Sequence, residues 1–197
     1  MATAYKTLQT SQRPLTIRDF ESFPDDGNRY EIMGGLLSVS PSPTLQHQRI
    51  VLRIALALQR YFEEVHIGEV FIAPVDVELS MYDIVEPDVV VVLDANASVK
   101  QTKRIVGAPD VVVEVISPSS ELRDRARKAA LYAMNGVLEY SLVDPSTRMF
   151  DVLALQGSDY TRLDQPAGSV RSHVLEGFEL DLELLFRAPT SKTGSTE

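Results

Sequence analysis

The sequence has no cysteine among its 197 residues. Disulfides, thiolate metal sites and cysteine nucleophiles are thereby excluded. No apolar run approaches the roughly 20 residues needed to span a bilayer. The N-terminal stretch lacks the apolar core of a signal peptide. A cytoplasmic location with no membrane partner is therefore expected. Positive charge is also short, with 19 Lys and Arg against 28 Asp and Glu, a net charge of -9. That balance argues against a protein that simply coats nucleic acid, whose affinity rests on neutralising phosphates. It leaves room for an enzyme with a local basic patch. No helix-turn-helix or zinc module is evident, so any reading of DNA sequence would have to come from loops.

An apolar content of 44% is that of an ordinary globular chain, and the length suits one domain with a proper core. The expected organisation is a loose arm over 1–14, a single domain over 15–187 and a flexible polar tail over 188–197. Within the domain, Thr16 can cap a short helix reaching Phe23. Arg29 to Ser40, with Gly34-Gly35 in its middle, reads as a β-hairpin. Thr44 can cap a helix over 45–64, in which Ile50, Val51, Ile54, Leu58, Tyr61 and Phe62 fall near one side. Strands are expected over 69–79, 87–93 and 110–116. Ser117-Pro118-Ser119-Ser120-Glu121 reads as the start of a helix that stops at Asn135-Gly136. A strand over 138–143 and its hairpin partner over 148–155 follow. Short strands near 160–163 and 172–175 and a last helical turn over Asp181 to Phe186 complete the reading. The order suits a mixed sheet with helices on its faces, an α/β fold.

Two strands carry the chemistry. Pro109-Asp110-Val111-Val112-Val113-Glu114-Val115-Ile116 is as apolar as a strand buried on both faces, yet it contains Glu114. A carboxylate there is costly unless it is paired or bound to a metal. Glu86-Pro87-Asp88-Val89-Val90-Val91-Val92-Leu93 repeats the pattern. Asp110 and Glu114 lie roughly 13 Å apart along one strand and cannot share one ion. Neighbouring strands are only about 4.8 Å apart, so Asp88 and Glu114 can converge on a hard cation such as Mg²⁺. Water on such a cation is a candidate nucleophile. Simpler readings stand beside these. Asp88 is a turn aspartate after Pro87, or Glu114 is a buried ion pair with Arg104 or Lys128.

Asp88, the strand of Glu114, Ser117-Pro118-Ser119-Ser120, Lys128, Tyr132, Gly136 and Asp144-Pro145 together resemble the Uma2 family of endonucleases. That family belongs to the restriction-endonuclease-like PD-(D/E)XK superfamily. Arg29-Tyr30-Glu31-Ile32-Met33-Gly34-Gly35 is similar to its N-terminal hairpin, and Leu175-Glu176-Gly177-Phe178 to its closing segment. The likeness spans about residues 15–186. No one motif is specific, but their order and spacing together are.

The resemblance implies an αβββαβ core with added hairpins, and a nuclease site dependent on Mg²⁺ or Mn²⁺. In the superfamily pattern, Pro-Asp is followed by Asp or Glu, any residue, then Lys. Pro87-Asp88 and Glu114 fit, but Ile116 stands where the lysine belongs. Lys128 on the following helix is the substitute, unless it only pairs with Asp124 one turn back. The implied metal ligands are Asp88, Glu114 and the backbone carbonyl of Val115. Glu31 is a further acid from an early element, or an ordinary hairpin acid. His47 in the first turns of the long helix contacts phosphate or metal-held water, or is structural.

DNA is the implied substrate and a homodimer the expected assembly, with one site per strand. Lys100, Lys103, Arg104, Arg123, Arg125 and Arg127 would hold the DNA backbone, or form solvated faces. The competing functions are a catalytically inactive DNA-binding or protein-interaction module on a nuclease fold, and a metal-dependent hydrolase of another phosphodiester.

Overall fold

The computed structural model describes residues 13–40, 42–117 and 122–188, without the side chains of 122–124. Most of the expected N-terminal arm and C-terminal tail, and Pro118 to Glu121 at the expected helix start, lie outside the described residues. Among the described residues, no helix is long and apolar enough to cross a membrane.

The chain opens with helix α1, Ile17–Phe20, whose start is fixed by a capping box between Thr16 and Asp19. Strands β1, Arg29–Met33, and β2, Leu36–Ser40, form the expected hairpin. Gly34 and Gly35 both take positive φ, 58° and 72°, as a tight two-residue hairpin turn requires. A side chain on Gly35 would also run into Pro14. Helix α2, Leu45–Val65, begins where Thr44 accepts a hydrogen bond from the His47 backbone.

The expected strand over 69–79 is two strands in different sheets: β3, Gly68–Ile72, and β4, Val77–Ser80. The break contains Pro74, which has no N–H to give to a ladder. Strands β5, Asp83–Val85, and β6, Val89–Leu93, follow, then a 3₁₀ turn over Asp94–Val99 and the short strand β7, Ile105–Val106. Strand β8, Val111–Val115, leads to helix α3, Leu122–Asn135, which ends at Gly136 with φ 86°. Strands β9, Glu139–Asp144, β10, Met149–Gln156, and β11, Asp159–Arg162, form a meander. The strand expected near 172–175 is instead β12, Ser169–Arg171, paired with an unforeseen β13, Glu179–Asp181. Helix α4, Leu182–Phe186, closes the described chain.

The central sheet has six strands in the order β11-β10-β9-β8-β6-β3. It is mixed, since β8 and β9 run parallel and every other neighbouring pair antiparallel. The order α2, β3, β6, β8, α3, β9 is the expected αβββαβ core. A second, five-stranded sheet, β2-β1-β5-β4-β7, holds the hairpin.

Valines on β6 and β8 explain how the layers stack. Val89, Val91, Val111 and Val113 pack with Ile50, Ile54 and Leu58 of α2. Val90, Val92 and Val112 pack on the other face, with Leu131 and Tyr132 of α3 and Met33, Val77 and Val85 of the second sheet. Alternation along a strand sends successive side chains to opposite faces, so an unbroken valine run feeds two cores at once.

Two buried acids hold the frame. Asp110 accepts from the Leu93 backbone at 2.8 Å and from Asn96 at 3.2 Å, tying the far end of β8 to the 3₁₀ turn. Glu139 accepts from the Ser172 hydroxyl (2.7 Å) and the His173 and Val174 amides (2.6 and 3.2 Å). Removing that carboxylate strands three partly buried donors. Glu139→Ala is therefore expected to cost at least about 2 kcal/mol, read as a lowered urea midpoint. A shift equivalent to less than about 0.5 kcal/mol would show that the C-terminal segment does not depend on it.

Candidate active site

Asp88 and Glu114 meet through register. Val89 pairs with Val113 and Val90 with Val112, so one step further along the antiparallel ladder Asp88 stands opposite Glu114. Side chains directly opposite in such a pair share a face. Both acids sit at one sheet end, at the mouth of the layer between β8, α3 and the second sheet.

Asp88 is 1% exposed and fully engaged. Its Oδ2 accepts from the Val115 backbone N–H at 2.8 Å and bonds His47 Nε2 at 3.0 Å. Its Oδ1 accepts from Arg29 at 2.9 Å. Burial alone would raise its pKa. His47 and Arg29 outweigh that, and the carboxyl is lowered to about 2. His47 Nδ1 is buried and has no hydrogen-bond partner among the described residues.

Glu114, 9% exposed, is the opposite case. Its Oε1 accepts from Lys128 Nζ at 2.8 Å and from the Tyr132 hydroxyl at 2.9 Å. Burial raises its pKa, and the negative charges of Asp88 and Glu31 add to this against Lys128 and Arg29. Lys128 Nζ also touches Glu31 Oε1 at 2.9 Å. Burial works against its charge, yet Glu114 and Glu31 together hold the ammonium above its ordinary pKa. Glu31 also accepts from the Glu86 amide at 3.0 Å. The Glu86 carboxylate takes Arg29 Nε at 2.8 Å, and burial raises its pKa.

All of these side chains except Tyr132 line one cavity of about 680 Å³, together with Val115, Ser117 and Arg125. Of the expected site residues, Asp88, Glu114, Lys128, Glu31 and His47 are therefore brought together. Lys128 faces Glu31 and Glu114, and the pairing of Glu114 goes to Lys128 rather than Arg104. The expected DNA contacts divide. Lys100 pairs with Glu69, Arg104 with Glu21 and Glu78 at 3.3 Å each, and Arg127 donates to the Met33 carbonyl at 3.0 Å. Lys103 is exposed, the Arg123 side chain lies outside those described, and Arg125 belongs to the cavity.

Arg29 and Glu86 were not foreseen as parts of this site, and Arg125, expected to hold the DNA backbone, lines the cavity instead. Glu86 was legible only as the neighbour of Pro87-Asp88, and Arg29 only as the first residue of the hairpin segment. Tyr132 carried a family pattern but no assigned role.

The donor chemistry suits a divalent cation. The carboxylates Asp25, Glu31, Glu86, Asp88 and Glu114 line the cavity against the permanent cations Arg29, Arg125 and Lys128. These acids outnumber the cations by two, and all of them offer hard oxygen. The present side-chain positions are closed upon each other. Among the described residues, no three His, Asp or Glu converge in metal-ligating geometry.

The chain belongs to the Uma2 family, described as "Putative restriction endonuclease", whose model matches residues 17–184. Its fold is similar to that of "a putative nuclease belonging to DUF820" from Anabaena variabilis. The TM-score is 0.74 at 19% identity, over 88% of this chain and 98% of the other. No curated protein is significantly similar to it.

The Asp88 network makes a stability prediction with a defined pH sign. Its folded pKa lies below the ordinary 3.8, so its contribution is complete above about pH 4 and is lost as pH falls through 2. That contribution is on the order of 2 kcal/mol. Asp88→Asn, which also leaves Arg29 with one carboxylate fewer, is expected to destabilise by about 2–4 kcal/mol at pH 7. The difference from wild type should shrink as pH falls from 4 to 2. A constant difference across that window in urea unfolding would refute the assignment.

Proposed function

We propose that the cavity is a divalent-metal-dependent phosphodiesterase site acting on DNA. One observation carries this reading. Lys128 Nζ lies within 3 Å of both Glu31 and Glu114, in a cavity shared with Asp88. An ammonium held between two carboxylates beside a third acid is the arrangement that hydrolysis of a phosphodiester calls for. Family membership and the fold shared with a protein described as a nuclease support it.

Asp88, Glu114 and the Val115 carbonyl would hold Mg²⁺ or Mn²⁺, with Glu31 beside them. When bound, the cation supplies Lewis acidity toward a phosphoryl oxygen and lowers the pKa of water. The chain's own residues do the rest. Arg29 and His47 keep Asp88 ionised and fixed. Tyr132 orients the Glu114 carboxyl, which must be unprotonated to ligate. Lys128 keeps its proton and positions positive charge where negative charge develops in the transition state. It does from α3 what the missing strand lysine would do at Ile116. Two strands of a duplex require two such sites, which a homodimer supplies.

A second reading, an inactive module on a nuclease fold, is favoured by the closed pairing of Asp88 and Glu114 with internal donors. The two separate cleanly. Purified protein with Mg²⁺ or Mn²⁺ is expected to cut plasmid and linear duplex DNA. Glu114→Gln and Lys128→Met should each slow cutting by about 10²-fold or more while keeping the wild-type circular dichroism. Calorimetry should show Mn²⁺ binding that Asp88→Asn/Glu114→Gln abolishes. Wild-type protein that neither cuts DNA nor binds Mn²⁺ establishes the module reading. Binding of Mn²⁺ with hydrolysis of small phosphodiesters but not of DNA would keep the chemistry and change the substrate.

A further inference from the structure

Among the described residues, three permanent cations line the cavity, and their partners differ in kind. Arg29 is neutralised twice, by Glu86 at 2.8 Å and Asp88 at 2.9 Å. Lys128 is neutralised twice, by Glu31 at 2.9 Å and Glu114 at 2.8 Å. Arg125 has no carboxylate at ion-pair distance among the described residues, and its Nε is buried with no hydrogen-bond partner. A buried donor of a charged group left unsatisfied is costly, so the position favours a ligand that brings an acceptor to it.

The geometry points to Arg125 as the anion subsite of the cavity, receiving the terminal oxygens of a phosphodiester. This deepens the reading above and rests on it only for the identity of the anion. Charge decides the class of ligand. Every acid of the central network is already held by Arg29, Lys128, His47, Tyr132 or a backbone amide, so the carboxylates there do not compete for Arg125. A neutral carbonyl or hydroxyl would satisfy Nε but not the guanidinium charge. A phosphodiester monoanion has two equivalent terminal oxygens, which match two N–H groups on one edge of the guanidinium fork.

Position agrees with charge. Arg125 and Lys128 are three apart on α3, and residues at that spacing are surface neighbours on a helix. An anion on Arg125 is therefore placed beside the Lys128, Glu31 and Glu114 cluster. The cavity, at about 680 Å³, falls in the ordinary size range for small-molecule sites. Arg125 thus differs from Lys100 and Arg104, whose charges are spent on Glu69, Glu21 and Glu78. It binds the reacting phosphate rather than the flanking backbone.

The test follows the guanidinium directly. In protein labelled with ¹⁵N-arginine, the Arg125 Nε–H resonance is assigned by its absence from Arg125→Lys. Dimethyl phosphate is titrated with and without Mg²⁺, and neutral trimethyl phosphate is the control. The expected result is a saturable shift of that resonance with dimethyl phosphate alone. Arg125→Met, which keeps the apolar stem, should raise the dissociation constant about tenfold or more, and Arg125→Lys should restore part of it. Dimethyl phosphate that binds without moving the Arg125 resonance, binds Arg125→Met equally well, or does not bind at all would overturn the assignment. Cleavage assays keep the two claims apart. Loss of about 10²-fold in kcat/KM for Arg125→Met, with an unchanged melting temperature, supports both. DNA cut equally fast by Arg125→Met sinks the subsite and spares the nuclease. Wild-type protein that cuts nothing yet shows the saturable shift sinks the nuclease and spares the subsite.

Discussion

A carboxylate that stays charged while 1% exposed is the constraint from which the site follows. Asp88 stands one register step past the last β6–β8 pair, where the ladder has run out. Its Oδ2 takes the Val115 amide that a longer β6 backbone would have taken. That leaves the charge itself to be balanced. Balance comes from two distant segments, His47 in the first turn of α2 and Arg29 at the start of the hairpin. One buried acid thus fixes where α2 begins relative to the sheet and where the second sheet docks. An apolar replacement of the whole buried network could be as stable, but the charged network specifies an arrangement that valines alone would leave free to slide.

Glu114 shows what the same sheet end does to an acid with a different partner set. Asp88 is pulled down by a guanidinium and an imidazole, whereas Glu114 is pushed up by burial and by Asp88 itself. Two neighbouring carboxyls whose pKa values diverge are a recurring device for dividing tasks within a site. Lys128 takes part in that division. It lies on a helix rather than on the strand, so its Nζ bridges Glu114 to Glu31, which belongs to the other sheet. The position on β8 that a strand lysine would occupy goes to Ile116, whose backbone N–H continues the pairing with β9 through the Val143 carbonyl at 2.7 Å. Moving the cation to the helix joins the two sheets at the site.

How much of this was legible follows the physics of each signal. Long periodic segments with caps read true: the hairpin around Gly34-Gly35, α2 from Thr44, the valine strands, and the stop at Gly136. Register was legible in part. Two Pro-Asp strands rich in valine imply neighbours, and neighbours bring Asp88 near Glu114. The split of 69–79 into two strands was hidden because apolar alternation continues across Pro74. β13 was hidden because Glu179–Asp181 is too short to show a period. Arg29 and Glu86 as site residues, and Arg125 as a cavity residue rather than a backbone contact, were illegible for a different reason. Their roles depend on which charges meet after folding, and a run such as Arg123 to Lys128 looks alike whether its members face solvent, a carbonyl or a cavity.

The fate of those basic residues bears on how an acidic protein would handle an acidic polymer. Lys100 and Arg104 are paired with carboxylates of their own chain, and Arg127 is turned to the Met33 carbonyl. Of the residues expected to hold DNA whose side chains are described, only Lys103 and Arg125 have no such partner, so these basic runs supply little of the surface field that long-range attraction of phosphates needs. On the phosphodiesterase reading, recognition must then be local. It has to come from a cavity whose excess negative charge calls for a cation, and from Arg125, a permanent charge in it that no carboxylate of the described chain has claimed. A site of that kind selects for the reacting phosphate and its counterion together rather than for the length of the polymer around it. The acidity of the whole chain and a phosphate-directed site are therefore compatible, because the charge that matters is the charge left over after internal pairing.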